Sequence, residues 1–381
     1  TSTYNSGYMT GDIKGAWNVD TDVTTLGTSS DPVVGQNLIS NGTFSSDTSG
    51  WTIIHHAERS THNVASGYFH VEGNSSADSA WNASFLMSNG TVSSGAKYQI
   101  SFDIRSNVAM YTSSSGAGHA SWVELGGTFT AFSNVSSTGG SWVTRTFIAT
   151  AGSANSGAAE LRFGQDAPDI STGKYVDIDN VSIKVLGIPD RSVNANGLAV
   201  HGTPIVSAVA TGAELKCISG FSASNYLEQP YNSDLDFGTG DFSISVWAKI
   251  TAGAATGYLY NRLSDAGTGA YHRLHTITDV LHFNNINTGY TMPNDISTFI
   301  AVCRRSGVLY VYANGVEVFS VSHTNNYVDN GLEKVKIGVS FNNANPLTGS
   351  LALLRVSATA PTAAQIKEIY EAEKPLFQEN A

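Results

Sequence analysis

The chain has 381 residues, of which 13% are charged, against roughly 25% in an average soluble protein, and 38 are Gly. Its 20 basic and 31 acidic groups give a net charge of −11 with no Lys/Arg cluster, which argues against nucleic acid and anionic membrane surfaces as partners. No apolar run approaches the ~20 residues of a spanning helix, and TSTYNSGYMT at the start has neither the basic nor the apolar region of an export signal, so a soluble chain is expected.

The length suggests two domains. Residues 1–36 carry scattered aromatics and no sustained periodicity. They read as an attachment segment whose Tyr4, Tyr8 and Trp17 pack against another subunit or a larger assembly, or else as a flexible leader. From Asn37 onward short strand-like runs such as YFHVEG, YQISFDIRS, SWVTRTFIAT and YVDIDNVSIKVL alternate with Gly, Asn and Ser clusters, the pattern of an all-β sandwich closing at Leu186.

Residues 187–213 read as a linker or connecting strand, and 214–381 as a second sandwich. Its clearest strand lies within Leu235–Ile250. There Phe242, Ile244, Val246, Ala248 and Ile250 fall on one face and Trp247 on the other, so the core face is Phe242, Ile244 and Val246, while Trp247 is either covered or open to a ligand. Ser306-Gly307 and Asn314-Gly315 predict tight hairpin turns, because both central residues of a type I′ turn need positive φ. Thr362 with Gln365 forms a capping box ahead of Ile366, Ile369 and Tyr370, and Pro375 stops the run, so a docked helix of about 12 residues is expected. Cys217 and Cys303 both sit in strand-like runs and are expected to be buried free thiols.

Three stretches carry resemblances. Asn37-Leu38-Ile39 with Asn41 to Phe44 and Gly50-Trp51, Tyr98 to Asp103, the Trp142 to Phe147 strand, and Ile178 to Ile183 resemble a family 4/9-type carbohydrate-binding module over residues 37–186. Asp241 to Ile244 with Trp247, Val308 to Tyr312 with Asn314-Gly315, and Gly349 to Leu351 resemble the laminin-G-like, concanavalin-like jelly rolls. Gly7 to Lys14 with the C-terminal SATAPTAAQIKEIYEAEKPLFQ is similar to bacteriophage tail-fibre and related virion proteins. The fold class expected is all-β, with two tandem β-jelly-roll sandwiches, a short C-terminal helix and an irregular N-terminal segment. The first resemblance also implies a structural Ca2+ held by Asp179 with the backbone near Asn41 and Gly42, although Ser45 stands where the family tends to have an acidic residue.

Catalytic constellations are weak. Asp177 and Asp179 sit at i, i+2 but read better as a metal or structural pair. His55-His56 with His62 and His70 lack metal-site spacing, and His272 and His275 around Arg273 fall on opposite faces of a strand. Binding fits better, since sugars are held by flat aromatics with polar side chains on the hydroxyls. Trp51 and Trp142 look structural, which leaves Trp81, Tyr111, Trp122 and Glu124 in the first module and Trp247 in the second, with Tyr260, Arg262, His272 and Arg273 as further candidates.

The expected function is therefore a phage virion structural protein, a tail fibre or similar appendage assembled in the bacterial host cytoplasm, that binds host surface glycan without catalysis. Other virion proteins would be its partners, and a homotrimer would supply avidity to shallow sites. A glycan depolymerase or hydrolase, and a purely architectural capsid or tail decoration, are the alternatives.

Overall fold

The computed structural model describes residues 12–34, 37–55, 60–73, 81–87, 92–107, 122–131, 138–152, 159–165, 173–194, 196–252, 255–264, 267, 271–328 and 331–380. The chain divides into two compact units, residues 36–186 and residues 1–35 with 187–381.

The 36–186 unit is a sandwich of two antiparallel sheets. One runs in the order Val143–Thr150, Lys97–Ser106, Tyr175–Ile188, Tyr68–Gly73, Ser60–Ala65, and only the last two residues of Tyr175–Ile188 belong to the other unit. The second runs Trp51–His55, Trp81–Met87, Ala159–Gln165, Trp122–Leu125, Thr128–Ala131. Period-two alternation separates core from surface. Along Lys97–Ser106 every second residue is buried, and Tyr98, Ile100, Phe102 and Ile104 meet Phe69, Val71, Val176 and Ile178 in the core. Lys97, Gln99, Ser101, Asp103 and Arg105 are thereby turned outward.

The other unit is also a sandwich. One sheet runs Ile205–Ala208, Lys216–Ser219, Gly349–Ser357, Phe242–Ile250, Thr298–Arg305, Val308–Ala313, Val316–Ser322, with Ile13–Trp17 paired to Gly349–Ser357. The facing sheet runs Leu198–His201, Tyr226–Gln229, Glu333–Ile337, Thr256–Ser264, His272–Ile277, Val280–Phe283, Ile286–Thr291. Phe242, Ile244, Val246, Ala248 and Ile250 line the core between them, as the alternation predicts. Both hairpin turns have the expected backbone, with φ of 50° and 78° at Ser306-Gly307 and 51° and 78° at Asn314-Gly315. Cys217 and Cys303 are buried free thiols, and burial pushes the Cys303 thiol up to about 12.

The N-terminal stretch differs from the expectation. Trp17 packs into the core of its own unit, its indole N–H donating to the Asn196 carbonyl at 2.9 Å, so it needs no outside surface to bury it. Tyr4 and Tyr8 lie outside the described residues. Residues 187–213, read as a linker or connecting strand, contribute the fully buried strand Leu198–His201 and the edge strand Ile205–Ala208.

Candidate functional site

The outward face of the Lys97–Ser106 sheet gathers side chains from four strands. Asp177 stands opposite His70 on one side and opposite Arg105 on the other, one row across three strands. Arg105 donates Nε and Nη2 to Asp177 Oδ2 at 2.8 and 2.5 Å, and His70 Nδ1 lies 2.5 Å from Asp177 Oδ1. Asp177 is 1% exposed, so its charge is neutralised at the floor of the face by two partners.

Aromatic rings close around this row. The Arg105 guanidinium lies 5.0 Å from the Tyr68 ring centre, 4.9 Å from Trp142 and 5.9 Å from Tyr175, within cation–π range of all three. Trp142 precedes the strand Val143–Thr150, whose first residue pairs with Ile104, and this brings it beside Arg105. Tyr68 and Trp142 meet edge to face at 5.5 Å and 72°. Trp142 is nevertheless 40% exposed, an amphipathic ring held at fixed orientation with its surface open to solvent.

Charge around the rings is graded. The hydrogen bond to Asp177 raises the His70 pKa against the opposing effect of burial, and Glu72 lies 3.5 Å from its other ring nitrogen. In the next row Asp103 accepts from Thr144 Oγ1 at 2.5 Å and from Asn180 Nδ2 at 2.8 Å. Burial holds the Asp179 carboxyl above the usual carboxylate range; the Asn180 N–H opposes this and the neighbouring Asp103 charge adds to it. The face thus offers flat rings, ring-edge hydroxyls and carboxylates.

The residues expected to bind sugar fall elsewhere. Trp122 pairs with Arg162 and Glu124 with Glu160 on the second sheet, and Glu124 is half-buried. Trp81 pairs with Gln165 on the same sheet. Only the backbone of Trp81 and Trp122 is described, and Tyr111 lies outside the described residues, as do His56 and Ser113 to Gly118.

Trp247 is a correction. It is 3% exposed, stacked on Phe377 at 4.0 Å and 17°, with its indole N–H on Glu373 Oε2 at 2.8 Å, because the C-terminal helix Ala363–Glu373 and the following turn cover this face of its strand. Tyr260, Arg262 and His272 are corrections too, each 0% exposed. Arg262 holds the Leu235 carbonyl and Asp236, and burial followed by the Arg262 charge keeps His272 neutral, far below its ordinary pKa. Arg273 alone of that group reaches the surface, where it lies 4.5 Å over Tyr271 and donates to Asn285.

The proposed calcium positions are largely engaged within the protein. The Asn41 carbonyl accepts the Trp51 indole N–H, the Gly42 carbonyl accepts the Val181 N–H, and the Asn41 amide donates into the Asp47–Ser49 turn. Asp179 is the one carboxylate of the set, short of the six to eight oxygens calcium takes. No group of three or more His, Cys, Asp or Glu able to hold a metal is present among the described residues.

The residues gathered on this face that sequence reasoning did not name as ligand candidates are Tyr68, Arg105 and Tyr175, with Trp142 read as structural. A signal was present in the outward positions of Tyr68–Gly73, Lys97–Ser106 and Tyr175–Ile188, which follow from the alternation alone.

Residues 221–367 match the family model described as the concanavalin A-like lectin/glucanases superfamily, of the laminin G type. No curated protein matches the chain. Among solved structures, domain 4 of AbnA, a GH43 extracellular arabinanase from Geobacillus stearothermophilus solved with arabinotriose, is 18% identical, with 48% of this chain and 92% of that one covered at a TM-score of 0.38. The binding domain of Paraclostridial mosquitocidal protein 1 is 15% identical over 49% of each chain at 0.39. That of botulinum neurotoxin DC in complex with SialylT is 12% identical over 50% of this chain and 48% of that one at 0.36. The chain spans about half the length of these two toxin binding domains.

Proposed function

We propose that this chain is a glycan-binding protein without catalytic activity, and that it binds through the Trp142 face of the 36–186 unit. One observation carries the reading: Trp142 is 40% exposed yet fixed edge to face against Tyr68 and beside an Arg105 already neutralised by Asp177. Such a ring is free to cover the apolar face of a pyranose, while Tyr68, Tyr175 and the Asp103 and Asp179 carboxylates reach its hydroxyls.

Magnitude shapes the rest of the proposal. A ring that removes about 80 Å² of apolar surface from water contributes roughly 2 kcal/mol, so one shallow site reaches only about millimolar affinity. Repeated sites on a homo-oligomer convert that into useful attachment through effective concentration. A trimeric phage tail fibre or similar virion appendage meeting a host surface glycan would supply that setting; this part of the reading rests on the likeness of residues 7–14 and of the C-terminal stretch.

A glycan array probed with the purified chain, followed by mass spectrometry of the retained sugar, tests the reading. Binding of intact oligosaccharide is the expected result. Shortened products would establish a hydrolase instead, and no binding to any glycan would favour a spacer role.

A further inference from the structure

An open cleft of about 470 Å3 lies in the unit that contains the C-terminal helix, between the end of the strand Phe242–Ile250, the 295–297 turn and residues 370–378. Its volume falls in the range of small-molecule sites. Tyr370 and Phe377 form one wall, both packed on the buried Trp247, Phe377 stacked at 4.0 Å and Tyr370 tilted 24° from it at 5.8 Å. Ile296 also lines the cleft and is 57% exposed.

Polar groups complete the lining. Lys249 and Lys374 contribute two ammonium groups against the single carboxylate of Asp295, in a chain whose net charge is −11. Neither lysine is in an ion pair among the described residues, and the Lys374 ammonium is held 5.5 Å from the Tyr370 ring centre. Asn314, Ser297 and Gln378 add amide and hydroxyl groups at the same opening. The 295–297 turn is fixed in place by the Asp295 N–H on the Ile250 carbonyl at 2.7 Å, and Asn314 by its Oδ1 on the Phe299 N–H at 3.0 Å.

The geometry points to a second glycan site in this cleft, selective for saccharides that carry a carboxylate. Aromatic rings and Ile296 take the apolar face of a sugar ring, the neutral polar groups take hydroxyls, and the carboxylate sits between Lys249 and Lys374. It shares only a ligand class with the Trp142 reading, since none of its lining residues belongs to the 36–186 unit.

The test uses the full chain carrying Trp142→Ala, so that the first face is removed. Trigalacturonate and neutral maltotriose are titrated in by calorimetry at low and at raised salt. Trigalacturonate is expected to bind and maltotriose to bind more weakly, with the difference shrinking as salt rises. Lys249→Gln and Lys374→Gln should each weaken trigalacturonate by about 2- to 5-fold, and Ser297→Trp, which fills the cleft from its rim, should abolish binding while the thermal midpoint stays put. Equal affinity for the two sugars, no effect of either lysine substitution, or no trigalacturonate binding would overturn the assignment.

Discussion

The Trp247 indole N–H donates to Glu373 Oε2 at 2.8 Å, and the other oxygen of that carboxylate takes the Arg355 guanidinium. One terminal carboxylate thus links the central strand, its neighbour Gly349–Ser357 and the C-terminal helix. The helix begins in a complete capping box, Thr362 with Gln365, so its start is defined independently of this contact.

Glu373→Ala removes one acceptor from a buried indole and the counter-charge of a mostly buried arginine. A loss of about 1–3 kcal/mol is expected, read as a lower urea midpoint with an unchanged slope. Glu373→Gln, which keeps an acceptor for Trp247, should recover part of it.

Trp51 and Trp142 should behave oppositely, although both look structural in the sequence. Trp51 is 9% exposed, stacked on Phe44 at 5.5 Å, and its indole is satisfied by the Asn41 carbonyl. Trp51→Ala is expected to cost about 3–5 kcal/mol of stability. Trp142→Ala should leave the thermal midpoint nearly unchanged and weaken glycan binding about tenfold or more, as loss of roughly 2 kcal/mol of ring contact implies.

Much of the scaffold was legible in the chain itself. Alternation placed Phe242, Ile244 and Val246 in the core, and the Asn-Gly and Ser-Gly pairs located their turns, because both signals are local. Which residues cover Trp247 was not legible, since its partner Glu373 lies 126 residues away. The exposure of Trp142 was not legible for a related reason. Its exposure and orientation are set by Tyr68 and Arg105, on strands that meet it only through tertiary pairing.

His70 gives the 36–186 unit a pH dependence. Its folded pKa is raised above about 6.5, chiefly by the hydrogen bond to Asp177. The stabilisation is therefore complete below about pH 6.5 and is lost as pH rises through the raised folded value. Thermal unfolding of wild type and His70→Gln should differ most in mild acid and converge above that value. A gap that widens with pH would reverse the sign.

Backbone conformation supplies a further check at the Asn314-Gly315 turn, where φ is 51° and 78°. Asn314→Ala should cost about 1–2 kcal/mol, because an alanine resists the left-handed region that asparagine tolerates. Gly315→Ala should cost more. A Cβ there would lie 3.1 Å from the Tyr370 ring and 3.2 Å from the Lys367 backbone, so the docked helix would have to move.

The most direct measurement is the oxidation of tryptophans by N-bromosuccinimide with and without a saturating glycan from the array, mapped peptide by peptide by mass spectrometry. Trp142 should oxidise readily in the free protein and be protected when glycan is bound, while the buried Trp17, Trp51 and Trp247 react slowly in both states. Bound glycan with unaltered Trp142 oxidation, and protection moved to Trp81 or Trp122, would contradict the proposed face and place the sugar on the other sheet.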